Sequence, residues 1–165
     1  MSFFSGNPFA WQNPLLTSQR VGNTNIKVPG ASVYATAAQS LDNGVQAAIT
    51  FAFEYFDNGD IFTLTDPTKI TIKVPGVYHI IIGCNFDSSS ATGFRELAID
   101  VNGTGGILYD DRPGSTAFGV TCEVTAFRKL AARDYIRALA TQNSGGSLNL
   151  LGNGYSRMAL IWVSA

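Results

Sequence analysis

Catalysis by this chain would have to pass through very few side chains. His79 is the only histidine, so a Ser-His-Asp or Cys-His system has a single imidazole to draw on. It stands between Tyr78 and Ile80 in a run with the alternation of a strand, and nothing beside it marks a nucleophile. It reads as a satisfied or interface histidine rather than a general base. One histidine and two distant cysteines also lack the ligand spacing of a zinc site. Cys84 and Cys122 each lie in an apolar, strand-like context, where a free buried thiol is the expected state and a disulfide the alternative.

The acids gather in two places. Asp110-Asp111 precede Arg112-Pro113-Gly114, and Asp57, Asp60 and Asp66 fall in the Phe56 to Pro67 loop. Adjacent carboxylates in a turn have the oxygen chemistry for calcium. The plainer reading is a solvated turn with Asp111 paired to Arg112 or Arg95, and an exposed Arg95-Glu96 pair at a strand end. Gly105-Gly106 and Gly145-Gly146 lack the Lys-Ser/Thr and helix that follow a phosphate-binding loop, so they read as hairpin turns. No catalytic residue, metal or cofactor is expected.

These side chains must be positioned by strands. Ile70, Ile72 and Val74 alternate with Thr71 and Lys73, Pro75-Gly76 break the run, and Val77 to Ile82 resume it in apolar form. The same grammar predicts ten strands: 32–38, 46–55, 69–74, 77–87, 95–101, 106–110, 118–127, 134–141, 148–151 and 156–163. Turn chemistry separates them at Asp42-Asn43-Gly44, Asp57-Asn58-Gly59, Pro75-Gly76, Asn102-Gly103, Pro113-Gly114 and Gly152-Asn153-Gly154. Thr125 to Leu139 suits two strands about a tight Ala131 to Asp134 corner. Asn102-Gly103-Thr104 matches a glycosylation acceptor but reads as a β-turn.

Residues 1–30 differ in kind. They are rich in Asn, Pro, Ser and Gln, yet hold Phe3, Phe4, Phe9, Trp11, Leu15 and Leu16 without strand or helix period. That composition predicts an extended arm ahead of one domain over 31–165. Apolar groups of this size, each worth about 1.5–3 kcal/mol when buried, should rest on the body, a neighbouring subunit or a partner.

Charged residues make up 14% of the chain and hydrophobic ones 45%, which leaves little ionic surface and predicts that other copies cover part of it. Net charge is −1 with no basic cluster, so nucleic acid is not an expected partner. No segment is long and apolar enough to span a bilayer, and Met1 to Trp11 show no cationic or continuous apolar leader. Synthesis in a host cytoplasm without a signal peptide is the expectation.

Phe51, Asp57, Phe62, Ile70 and Gly76-x-Tyr78-x-Ile80, at their spacings, resemble the signature of the C1q-like branch of the tumour-necrosis-factor-like jelly roll. Ile70 and Ile80 stand where that signature has Phe, and the gap from Phe62 to Ile70 is one residue longer. Ala91-Thr92-Gly93-Phe94-Arg95-Glu96-Leu97 with Ile99 to Gly103 is similar to a segment of microbial and phage members. So is Leu130-Ala131-Ala132-Arg133-Asp134-Tyr135-Ile136 with Gln142-Asn143-Ser144-Gly145. Arg133 replaces the usual Gly of that corner, which predicts a differently shaped turn.

The resemblance implies an all-β, ten-stranded jelly-roll sandwich that forms a homotrimer, with Phe51, Phe53, Phe62, Tyr78 and Ile80 in the core or trimer packing. Phe51, Phe53 and Tyr55 share strand parity and belong to that packing; stacking of a glycan on such rings is the alternative. The expected function is non-enzymatic: a trimeric bacteriophage capsid decoration or head-associated protein, resident in the virion. Its arm would dock on the major capsid protein or another virion protein. A trimeric receptor- or glycan-binding module of a tail fibre or adhesin is the second expectation.

Overall fold

The structure is a computed structural model that describes residues 28–165; the arm side chains Phe3, Phe4, Phe9, Trp11, Leu15 and Leu16 lie outside the described residues. Twelve strands, all paired antiparallel, account for the regular structure there. In chain order they are β1 (Gly30–Tyr34), β2 (Gln39–Leu41), β3 (Ala47–Ala48), β4 (Phe53–Asn58), β5 (Lys69–Thr71) and β6 (Gly76–Phe86). β7 (Ser90–Val101), β8 (Leu108–Ser115), β9 (Val120–Leu130), β10 (Tyr135–Gln142), β11 (Leu148–Leu150) and β12 (Arg157–Ser164) follow.

Two sheets face one another. The larger runs β2-β11-β6-β12-β1-β4, with β9 paired to the free side of β6; the smaller runs β3-β10-β7-β8, with β5 on β10. Alternation fills the space between them. β6 sends Tyr78, Ile80, Ile82, Cys84 and Phe86 inward, β9 sends Val120, Cys122 and Val124, and the smaller sheet answers with Leu97, Ile99, Ile136, Ala138 and Ala140. Fully burying an aliphatic or aromatic side chain stabilises by about 1.5–3 kcal/mol, so this continuous cluster is a major support of the sandwich.

Twelve strands replace the ten predicted because one run changes sheet and another breaks within its own sheet. The run 46–55 splits into β3, in the smaller sheet, and β4, in the larger, with Ile49 and Phe51 buried at the crossing. The run 32–38 yields β1, and the chain then turns to form β2 in the same sheet. Pro113-Gly114 is not a turn but part of β8. β8 ends its sheet, and an edge strand tolerates a residue with no N–H to donate.

The Ala131 to Asp134 corner does lie between β9 and β10, and it keeps the left-handed geometry that glycine would favour: Arg133 has φ of 78°. The expected change of shape is absent because other bonds fix the turn. Arg133 N–H donates to the Ile72 carbonyl at 2.7 Å, and Ala131 N–H to the Asp134 carboxylate at 2.7 Å. Asn102 (φ 56°) and Gly103 (φ 79°) supply the paired positive φ values of the β7–β8 hairpin.

Candidate functional site

The larger sheet leaves apolar groups uncovered on its outer face. The parity that buries Tyr78, Ile80 and Ile82 turns Val77, His79 and Ile81 of β6 outward. Register then lines up rows across three strands: Ile161 opposite His79 opposite Phe127, and Ala159 opposite Ile81 opposite Thr125. Phe127 is 63% exposed, Val163 50% and Ile161 44%. Such groups on neighbouring strands form a patch rather than scattered single residues.

His79 belongs to this patch. Its ring stacks on Phe127, with centroids 4.5 Å apart and planes at 13°. Nε2 lies 2.9 Å from Thr125 Oγ1, and that hydroxyl donates its proton to the Ile80 carbonyl at 3.1 Å. The hydroxyl therefore accepts from Nε2–H, which fixes the tautomer and spends the nitrogen on structure. Among the described residues no serine or cysteine nucleophile is bonded to the imidazole.

One corner of the same face carries an aromatic cluster. Tyr34 of β1 meets Phe53 and Tyr55 of β4 with ring centroids at 5.0 and 4.6 Å. Phe51, Phe62, Tyr78 and Ile80 are buried, whereas Phe53 is half-exposed and Tyr55 67% exposed. Shared parity does not unite Phe51 with the other two, because Phe51 lies in the crossing between sheets that follows Ala48, before β4 begins. Arg157 and Glu123, on the row beyond Tyr34, form an exposed ion pair at 3.3 Å.

The outer face of the smaller sheet carries polar groups that bond one another. Buried Asp100 accepts from Arg137 Nε at 2.7 Å, Gly105 N–H at 2.9 Å and Gly103 N–H at 3.2 Å. Burial alone would raise its carboxyl, but the Arg137 guanidinium and these amides outweigh that and hold it below the usual carboxylate value. Lys69 and Arg137 both lie over the Tyr135 ring, at 5.1 and 5.6 Å. Lys69 also pairs with Asp66 at 2.5 Å, a contact that lowers the Asp66 carboxyl.

The remaining polar candidates settle into structural places. Asp57 accepts the N–H groups of Ile61 and Phe62, both at 3.0 Å, which braces the loop after β4. Asp110, not Asp111, pairs with Arg112, at 2.8 Å, and it also accepts the Glu123 N–H at 2.9 Å. Arg95 is no exposed partner for Glu96: it is fully buried and caps the irregular start of β7 by donating to the carbonyls of Ser90, Thr92 and Phe94. Its parity points it inward, and burial draws its ionisation below the ordinary value. Glu96 instead accepts from Thr141 Oγ1 at 2.9 Å.

Cys84 and Cys122 sit directly opposite one another on β6 and β9, free and buried. The neighbouring Cys122 side chain and burial push the Cys84 thiol well up, which keeps it protonated. Among the described residues no three of His, Cys, Asp and Glu converge as metal ligands. No helix there is long and apolar enough to cross a membrane.

The described sandwich is similar to the globular domain of a zebrafish complement 1qA protein, at 17% identity over 82% of this chain and 97% of that one, with a TM-score of 0.59. It is similar to the Eiger TNF of S. frugiperda, at 12% identity over 83% and 93%, with a TM-score of 0.65. Murine APRIL at pH 8.0 is a third, at 13% identity over 83% and 100%, with a TM-score of 0.62. The fold is a C1q/TNF-like jelly roll. No protein-family model matches the chain, and no curated protein does. Likeness at these identities establishes architecture; what this jelly roll does rests on its own surfaces.

Sequence reasoning did not single out Ile161, Phe127 and Val163. The signal was present in β9, where Cys122 and Val124 set the inward parity and so leave Phe127 pointing out.

Proposed function

We propose that this chain is a non-enzymatic assembly protein that works as a homotrimer, each copy burying the outer face of its larger sheet. The observation that carries the reading is the row Ile161, His79, Phe127, with Val163 and Ile81 beside it: an apolar patch on paired strands, opposite a face on which Asp100, Arg137, Glu96 and Thr141 bond one another. A chain with 14% charged residues has little other surface to trade for solubility. The resemblance of the Phe51 to Ile80 signature to C1q-like jelly rolls supports three as the number of copies. Sedimentation equilibrium tests this: the mass should be three times the chain's 17.6 kDa, and a lone chain at micromolar concentration sinks the reading.

In its finer form the trimer decorates a bacteriophage capsid, or sits elsewhere on the head, held through the arm by the major capsid protein or another virion protein. The Phe- and Trp-bearing arm and the phage-like segments around Arg95 and Asp134 support this. A trimer also matches the threefold positions of an icosahedral shell. Mass spectrometry of intact particles tests it: many copies per particle are expected, and absence from the particle refutes it.

A second reading draws on Tyr34, Phe53 and Tyr55. Their clustered, exposed rings suit stacking on a sugar, so a receptor- or glycan-binding role for the trimer is the alternative. Saturable carbohydrate binding that Tyr55→Ala abolishes would favour it.

A further inference from the structure

His79 is the chain's only histidine, and its immediate neighbours on the outer face of the larger sheet are apolar on all four sides. Val77 and Ile81 flank it along β6, and Ile161 and Phe127 flank it across the sheet. With Nε2–H given to Thr125 Oγ1, an added proton goes to Nδ1, and among the described residues nothing is bonded to that atom. Charged groups of the face lie further off. Glu123 of β9 and Arg157 of β12 pair with each other beside Gly83, two rows away, while Lys129 of β9 stands opposite Val77, one row away, and repels a second cation. β1 and β4 bring only the phenols of Tyr34 and Tyr55, in the cluster beyond the next row.

We infer that His79 makes assembly depend on pH: the copies hold together through this face near neutral pH and part in mild acid, when the imidazole takes a proton. The inference rests on the trimer reading above and names how that contact is regulated. Histidine in water gains its proton near about pH 6.5. On a separate chain the resulting cation stays hydrated, whereas a covering copy strips its water and leaves it among apolar groups with no acid beside it. The stack on Phe127 lies within one chain, so it is present in both states and does not decide between them. Protons therefore bind the separate chains in preference. Association is fully present above about pH 6.5 and weakens as pH falls below it, by up to about tenfold per imidazole for each pH unit. With three imidazoles the association constant falls by about a thousandfold at pH 5.5, which raises the midpoint concentration of a monomer–trimer equilibrium about thirtyfold.

Sedimentation equilibrium of the full chain at pH 7.5 and pH 5.5 tests it, with near-ultraviolet circular dichroism to follow the fold. The wild-type midpoint should rise about thirtyfold, whereas His79→Gln, which keeps an N–H for Thr125 but takes no charge, should stay within about threefold of its own value at pH 7.5. An equal rise in both, or none in a wild type that is trimeric at pH 7.5, overturns the inference and leaves the trimer reading standing. Loss of the fold at pH 5.5 in place of dissociation also counts against it. A lone wild-type chain at pH 7.5 overturns the trimer reading, and the inference with it. Because the chain has one histidine, its ring proton signals in NMR are unambiguous, and in the wild type they should shift only as the trimer is lost. A shift that precedes dissociation would show the ring uncovered and overturn the inference, whatever His79→Gln does to folding.

Discussion

The two outer faces of this sandwich finish the same kind of sheet in opposite ways. On the smaller sheet, Asp100, Arg137, Lys69 and Tyr135 bond one another, and Glu96 takes a hydroxyl from Thr141, so its polar groups are satisfied within the chain. On the larger sheet, Phe127, Ile161 and Val163 stand exposed, and the stacking of His79 on Phe127 still leaves apolar surface in water. The contrast separates stability from association. A face whose groups pair internally contributes to folding, whereas a face of unpaired apolar groups gains free energy only when something covers it.

Substitutions rank this contrast from deep to shallow. Between the faces, Tyr78 is fully buried and donates its hydroxyl to the Val74 carbonyl at 2.7 Å. Tyr78→Ala should destabilise by about 3–5 kcal/mol, read by urea denaturation, and an unchanged midpoint would remove it from the core. On the closed face, Asp100→Ala strands Arg137 and two glycine amides and should cost about 2–3 kcal/mol of folding stability. On the open face, Phe127→Lys should leave the folding midpoint of the single chain nearly unchanged. It should instead weaken self-association by about 2 kcal/mol or more, the scale of a central interface residue, seen as monomer in sedimentation. Unfolding rather than dissociation would erase the distinction between the faces.

Acid titration sharpens the same point. Asp100 is held below its ordinary value in the fold, so its bonds add stability above about pH 4, where the unfolded carboxylate is ionised. That contribution is lost as pH falls through the folded value. Thermal melts from pH 7 down to pH 2 should show a decline that is shallower in Asp100→Asn. The smallest effect belongs to the corner: Arg133→Gly relieves a left-handed φ and should stabilise by up to about 1 kcal/mol in the same denaturation assay.

Much of the architecture was legible because alternation is a local signal. β6, β9, β10 and β12 fall close to the predicted runs, since Val, Ile and Phe on one parity announce a buried face without reference to the rest of the chain. The failures share a cause: each depended on which strand lies next to which. Phe51 and Phe53 appear equivalent until the crossing after Ala48 sends them to different sides. Pro113 reads as a breaker until β8 proves to be an edge, and Arg95 reads as a surface cation until the irregular start of β7 turns it inward against three carbonyls. The candidate interface was half visible. His79 reads from sequence as a satisfied or interface histidine, but its row with Ile161 and Phe127 exists only through register between strands far apart in sequence.

Pro113 at the margin of β8 has a further effect on how copies can accumulate. A margin that offers no amide at that position, with Asp110 bonded back to Glu123 of the opposite sheet, is a poor template for a foreign strand. Ladder-on-ladder growth, which has no natural stopping point, is blocked there. Contact through flanks instead can shut into a ring, so the same residue that looked like a break in the pattern disfavours open, fibre-like growth at this margin.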